Sequence, residues 1–134
     1  LQLIRNNGLE NLIKCDSAGT HGYHVGEPAE VRMRKHAQIR GYDLPSRARK
    51  IHPASDFPYY NLILVMDDRN YQDVRALDSS REYASKIRRM TDFCERMKEN
   101  EIPDPYYGGD EGFELVIDIL EDACAGLMER LKAQ

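Results

Sequence analysis

The 134-residue sequence has no tryptophan, only three cysteines, and no unbroken apolar run longer than the five residues Leu62-Ile63-Leu64-Val65-Met66. A membrane-spanning helix needs about 20 apolar residues, so that run excludes a membrane partner of the spanning kind. Cys15, Cys94 and Cys124 are odd in number and form no C-x-x-C pair. A disulfide framework is therefore not expected, and free thiols in a reducing, cytoplasmic compartment are. Positive charge is not in excess either: 19 Lys+Arg stand against 23 Asp+Glu, a formal charge of −4. Nothing here is suited to neutralising a phosphate backbone, which argues against nucleic acid as a partner. Repeats, low-complexity tracts and long linkers are also lacking, and the length suits one domain over residues 1–134. The chain opens without an initiator methionine, on Leu1-Gln2-Leu3-Ile4-Arg5, which reads as the middle of a helix.

What is present alternates between strand and helix signals. Residues 1–7 read as the end of a helix, with Gly8 as a left-handed cap. Residues 12–16 read as a short strand opening into the small-residue loop Ser17-Ala18-Gly19-Thr20. A helix is expected over 28–40, with Pro28 near its first turn and Gly41 stopping it. The short apolar run 62–66 has the pattern of a strand buried on both faces of a parallel sheet, and Asp67 and Asp68 are placed to start the next helix. Residues 87–90 are a weaker strand, marked by Arg88 and Arg89 as an edge. From Asp110 as N-cap, Phe113, Val116, Ile117, Leu120, Cys124, Leu127 and Leu131 recur at three- and four-residue steps, one apolar stripe on a helix of about five turns. The alternation predicts an α/β fold, a small doubly wound parallel sheet with helices on both faces. Its ligands would collect at the carboxyl ends of the strands.

Those ends carry Ser17, Asp67 and the loop Ile102-Pro103-Asp104-Pro105-Tyr106-Tyr107-Gly108-Gly109. Pro105 restricts Asp104 to extended conformations, and both prolines remove backbone donors that would stabilise its charge. A general-acid aspartate must hold its proton above the ordinary value of about 3.9, and withholding amides acts in that direction. Taken alone, a Pro/Gly-rich stretch with tyrosines is more often simply a turn. His21 and His24 form an H-x-x-H without a third ligand cluster, so no metal is expected. Arg32-Met33-Arg34-Lys35 reads as a solvated basic face.

In order along the chain, Asp16-Ser17-Ala18-Gly19-Thr20, Gly22-Tyr23-His24-Val25-Gly26-Glu27-Pro28, Arg47-Ala48-Arg49, Leu62-Ile63-Leu64-Val65-Met66-Asp67 and Asp104-Pro105-Tyr106-Tyr107-Gly108-Gly109 resemble the fixed points of the low-molecular-weight protein tyrosine phosphatases. So does Phe113-Glu114 with the helix holding Ile119-Leu120-Glu121-Asp122-Ala123-Cys124. The resemblance implies hydrolysis of phosphotyrosine or a small aryl phosphate through a phosphocysteine intermediate, with no cofactor. It implies Asp104 as the acid that protonates the leaving phenolate and then the base that activates water. Tyr106 and Tyr107 would stand at the mouth of the slot with Tyr23 opposite, and Ser17 and Asp67 would support the phosphate loop.

The family's nucleophile lies in a C-x-x-x-x-x-R loop between its first strand and first helix, which the resemblance places before residue 1. Residues 1–134 are accordingly expected to be inactive alone, with the first, central strand absent from this chain and unpaired edges open to strand exchange with another copy. The literal match Cys124-Ala125-Gly126-Leu127-Met128-Glu129-Arg130 is a decoy, since six residues at 100° put its ends about 120° apart on a helix. Pro45-Ser46 stands where many members carry a histidine. Three other readings share parts of this pattern. One is a non-catalytic phosphoprotein-binding or degenerate relative. Another is an arsenate reductase of the same fold, for which the three cysteines lack relay spacing. The third is a preference for phosphoarginine, which depends on the nucleophile loop.

Overall fold

A computed structural model describes residues 1–23, 25–98, 101–103 and 109–133. Helix α1 (Gln2–Asn6) ends as its sequence predicts. Gly8 takes φ +65°, and the N–H groups of Gly8 and Leu9 turn back onto the carbonyls of Arg5 and Ile4. Helix α2 (Val31–Ile39) starts three residues later than expected, because Glu30 is its cap: the Glu30 carboxylate accepts the N–H groups of Arg32 and Met33. Gly41, at φ +87°, stops it.

Strand β1 (Ile63–Val65) lies parallel to β2 (Ile87–Arg89), with Ile63 opposite Ile87 and Val65 opposite Arg89. Parallel neighbours need a crossover, which helix α4 (Asp68–Leu77) supplies. Side chains of β1 alternate between two cores as the period of two requires. Val65 and Ile63 face a cluster with Ile51, Phe57 of helix α3 (Pro53–Tyr59), Val74 of α4, and Ile87. Leu64 packs against a second cluster of Met90, Ile102 and Val116, Ile119 and Ala123 of helix α5 (Asp110–Lys132). Helices thus cover both faces of a small parallel sheet, the α/β arrangement the sequence predicts.

Four local expectations are corrected. Residues 12–16 form no strand. A turn ends at Leu12, whose side chain is exposed, and the nearest pairing is a single parallel bridge between Gly19 and Lys50. The run 62–66 is not buried on both faces, since Ile63 and Leu64 are half-buried and Met66 is exposed. Both follow from one cause: among the described residues the sheet has two strands, so β1 has one paired edge. Asp110 is the first helical residue of α5 rather than its cap, which is Gly109. The stripe of α5 also runs differently, with Cys124 exposed and Ile119, Ala123, Gly126 and Met128 buried. Ile119, Ala123 and Gly126 turn toward Met90–Phe93, a short 3₁₀ turn after β2 that packs against α5. Helix α3 was not legible as a helix in the sequence. Pro53 at its first position and Asp56 in its first turn are the signals that mark it.

Candidate active site

The carboxyl end of β1 organises the candidate site. Asp67 follows the strand in extended conformation and caps α4, its carboxylate accepting the Asn70 N–H at 2.7 Å. One turn of chain from elsewhere is tied to the same place. The Ile102 N–H donates to the Met66 carbonyl at 2.8 Å, and the Glu101 carboxylate accepts the Asp68 N–H at 2.9 Å. Segment 101–103, which leads into residues 104–108, is therefore anchored at the strand end where an α/β sheet collects its ligands.

A second group of contacts holds the loop containing Ser17. Its N–H donates to the Asp16 carboxylate at 2.8 Å, and the other Asp16 oxygen accepts Arg49 Nε at 3.0 Å. The same guanidinium forks onto Asp56 at 2.9 and 3.2 Å, while Asp56 also accepts the His52 N–H at 2.8 Å. Asp56 is buried, and the Arg49 guanidinium beside it holds its carboxyl below the usual carboxylate range. The Asp56 and Asp16 carboxylates in turn raise Arg49, which keeps its charge throughout. The Gly19 N–H donates to the Arg49 carbonyl at 2.8 Å and the Ile51 N–H to the Gly19 carbonyl at 2.9 Å. Arg49 thus fixes the loop by backbone and side chain together.

Tyr23 stands on the adjoining loop, 84% exposed and stacked on His21 at 5.6 Å between ring centroids. His21 faces Asp73 of α4 at 3.8 Å, which sets the loop beside that helix. Of the residues predicted for the site, Ser17, Tyr23 and Asp67 are thus placed, and among the described residues no side-chain hydrogen bond joins them to one another. Asp104, Tyr106 and Tyr107, with His24, lie outside the described residues. Cys124 and Arg130 both lie within the continuous helix α5, Arg130 over the Phe93 ring at 5.0 Å. A helix offers no cradle of backbone amides, so the decoy reading of that motif agrees with its geometry. Among the described residues no group of three His, Cys, Asp or Glu side chains is disposed to hold a metal, and no described helix is long and apolar enough to cross a membrane.

The family model of the low molecular weight phosphotyrosine protein phosphatases matches residues 1–134. The chain belongs to that family. A putative low molecular weight protein-tyrosine-phosphatase of Synechocystis sp. is 47% identical over 128 residues, covering 96% of this chain and 81% of that protein. The human low molecular weight phosphotyrosine protein phosphatase is 29% identical, covering 96% of this chain and 81% of its own length. The crystal structure of a protein tyrosine phosphatase from Entamoeba histolytica with Hepes in the active site superposes with a TM-score of 0.92 at 44% identity, over 98% of this chain and 83% of that one.

Within this phosphatase family chain, Asp56 is the residue that sequence reasoning did not single out. Arg49 was visible as part of Arg47-Ala48-Arg49, but the motif does not disclose its partners. An acid in the first turn of a proline-opened helix, seven residues after an arginine, is the signal available in hindsight.

Proposed function

We propose that this chain carries the acid-base and substrate-slot half of a protein tyrosine phosphatase acting on phosphotyrosine or small aryl phosphates. Asp104 protonates the departing phenolate while a cysteine thiolate takes the phosphoryl group. It then removes a proton from the water that hydrolyses the phosphocysteine. Tyr106, Tyr107 and Tyr23 wall the slot for an aromatic substrate, and Ser17 and Asp67 support the phosphate loop. The observation that carries this reading is the hydrogen bond from Ile102 to Met66. It ties the chain two residues before Asp104 to the carboxyl end of β1, the end at which a phosphoryl group would be bound.

In this reading none of Cys15, Cys94 and Cys124 is the nucleophile, and residues 1–134 alone are expected to be inactive. Incubation with p-nitrophenyl phosphate tests both parts. Background rates are expected from residues 1–134, and turnover is expected when a strand and a C-x-x-x-x-x-R loop are joined in frame before Leu1. Turnover by residues 1–134 that Asp104→Asn abolishes would overturn the assignment of the nucleophile.

A further inference from the structure

Helices α2 and α5 meet through a ladder of charges spaced at helical intervals. Arg32 and His36 on α2, and Arg40 at its C-terminal cap, face Asp110, Phe113, Glu114, Asp118 and Glu121 on α5. Arg40 holds the far end: it pairs with Glu114, with Asp118 at 2.8 Å and with Glu121 at 2.5 Å. A guanidinium does not titrate, so that end is permanent. The near end is His36. Its Nδ1 lies 2.9 Å from a Glu114 carboxylate oxygen and its Nε2 lies 3.3 Å from one of Asp110. A neutral imidazole has one N–H, so its other nitrogen would point a lone pair at a carboxylate oxygen. Both contacts are satisfied together only when both nitrogens donate. The ring also stacks face to face on Phe113, centroids 5.3 Å apart and planes 5° from parallel, a position that favours a cation. Its side chain is 15% exposed, so these partners rather than water surround it.

We propose that His36 stands as an imidazolium between Asp110 and Glu114 and is a positioning residue, clamping the first turn of α5 to α2 and releasing it when the ring loses its proton. Charged groups of both signs face the ring. Asp110 and Glu114 on α5 favour its proton. Arg32, whose guanidinium lies 4.9 Å over the same Phe113 ring, and Arg40, which shares Glu114, oppose it. The carboxylates prevail. The hydrogen bond His36 donates to Glu114 is the largest influence and the one it donates to Asp110 adds to it, lifting His36 above the ordinary histidine value against the opposing effect of burial. Because the value is raised on folding, the clamp is complete below about pH 6.5 and is lost as pH climbs through the higher folded value. Release is local, because Arg40 keeps its own pairs with Glu114, Asp118 and Glu121.

The consequence for catalysis rests on the proposed role of Asp104. Gly109 and Asp110 directly follow residues 104–108 in the chain, so the clamp fixes the point from which the acid-bearing segment departs. Under that reading a complete enzyme loses turnover on the alkaline side as His36 deprotonates.

The test uses residues 1–134 and needs no turnover, so its failure and the failure of the phosphatase reading are separate outcomes. The ring Cε1–H resonance of His36 is followed by NMR from pH 5 to 9, together with exchange protection, corrected for intrinsic rates, at Phe113 and Glu114. These are the first amides of α5 with an acceptor four residues back. The expected midpoint lies above 6.5, Glu114→Gln lowers it, and protection at Phe113 and Glu114 falls with the same midpoint while that at Asp118–Asp122 is level. His36→Gln should flatten the pH response. If that variant fails to fold, Asp110→Asn, at a side chain 91% exposed, should lower the midpoint instead. A midpoint at or below 6.5, or protection that is level or falls equally along α5, would overturn the proposal.

Discussion

Arg49 grips Asp56 through two parallel hydrogen bonds, and the third edge of the same guanidinium holds Asp16 beside Ser17. The buried end of this fork is the costly one to break, because a charge left without its partner loses its compensation. Arg49→Lys keeps the charge but not the planar fork. We expect Asp56→Ala to cost about 2 kcal/mol, in the range of hydrogen bonds to charged groups, and Arg49→Lys somewhat less, both read by urea unfolding. Asp56 titrates below its ordinary value, so its contribution is present above about pH 4 and is lost as pH falls through the folded value. An acid limb that is the same in wild type and Asp56→Asn would contradict this.

Asp67 caps α4 at the strand end where the candidate site is built. Removing the capping oxygen in Asp67→Ala should cost about 1 kcal/mol, with Asp67→Asn nearly neutral, since either side chain can accept the Asn70 N–H. Equal losses for the two variants in a thermal melt would show that charge, not capping, is what the position supplies.

Gly126 lets α5 approach the turn after β2. A Cβ there would collide with the Phe93 carbonyl, which is backbone and cannot swing aside. Gly126→Ala should therefore destabilise by about 1–3 kcal/mol, despite alanine's better helix propensity. Unchanged or raised stability by denaturant titration would be the contrary result.

Among the described residues β1 is paired along one edge only. We expect residues 1–134 to exchange strands with a second copy, because an exposed row of backbone donors and acceptors is a template for pairing. Sedimentation and melts at several concentrations check this. A sharp monomeric melt that does not move with concentration would count against it.

In a form that includes the nucleophile loop, Asp104→Asn should lower kcat by about 10²- to 10⁴-fold, the usual contribution of a general acid. The loss should shrink for substrates whose leaving group needs no proton. A uniform loss across leaving groups would assign Asp104 to binding instead.

The residues by themselves determined the class of the fold and the order of its motifs. The run 62–66 followed by two acids, Gly8 and Gly41 as helix stops, and the long periodic pattern after Asp110 were readable because each depends on local chemistry: a period, a cap, a positive φ. Only the tertiary structure decided which face of α5 is buried, since Ile119, Ala123 and Gly126 are chosen by the Phe93 turn they meet and not by the stripe through Cys124. It likewise decided that 62–66 is half-exposed, because burial of a strand depends on neighbours that its own sequence does not contain. The partners of Arg49 and His36 could not be read at all. Hydrogen bonds between Arg49 and Asp16, or His36 and Glu114, join residues 33 and 78 positions apart, and periodicity carries no information about contacts at that separation.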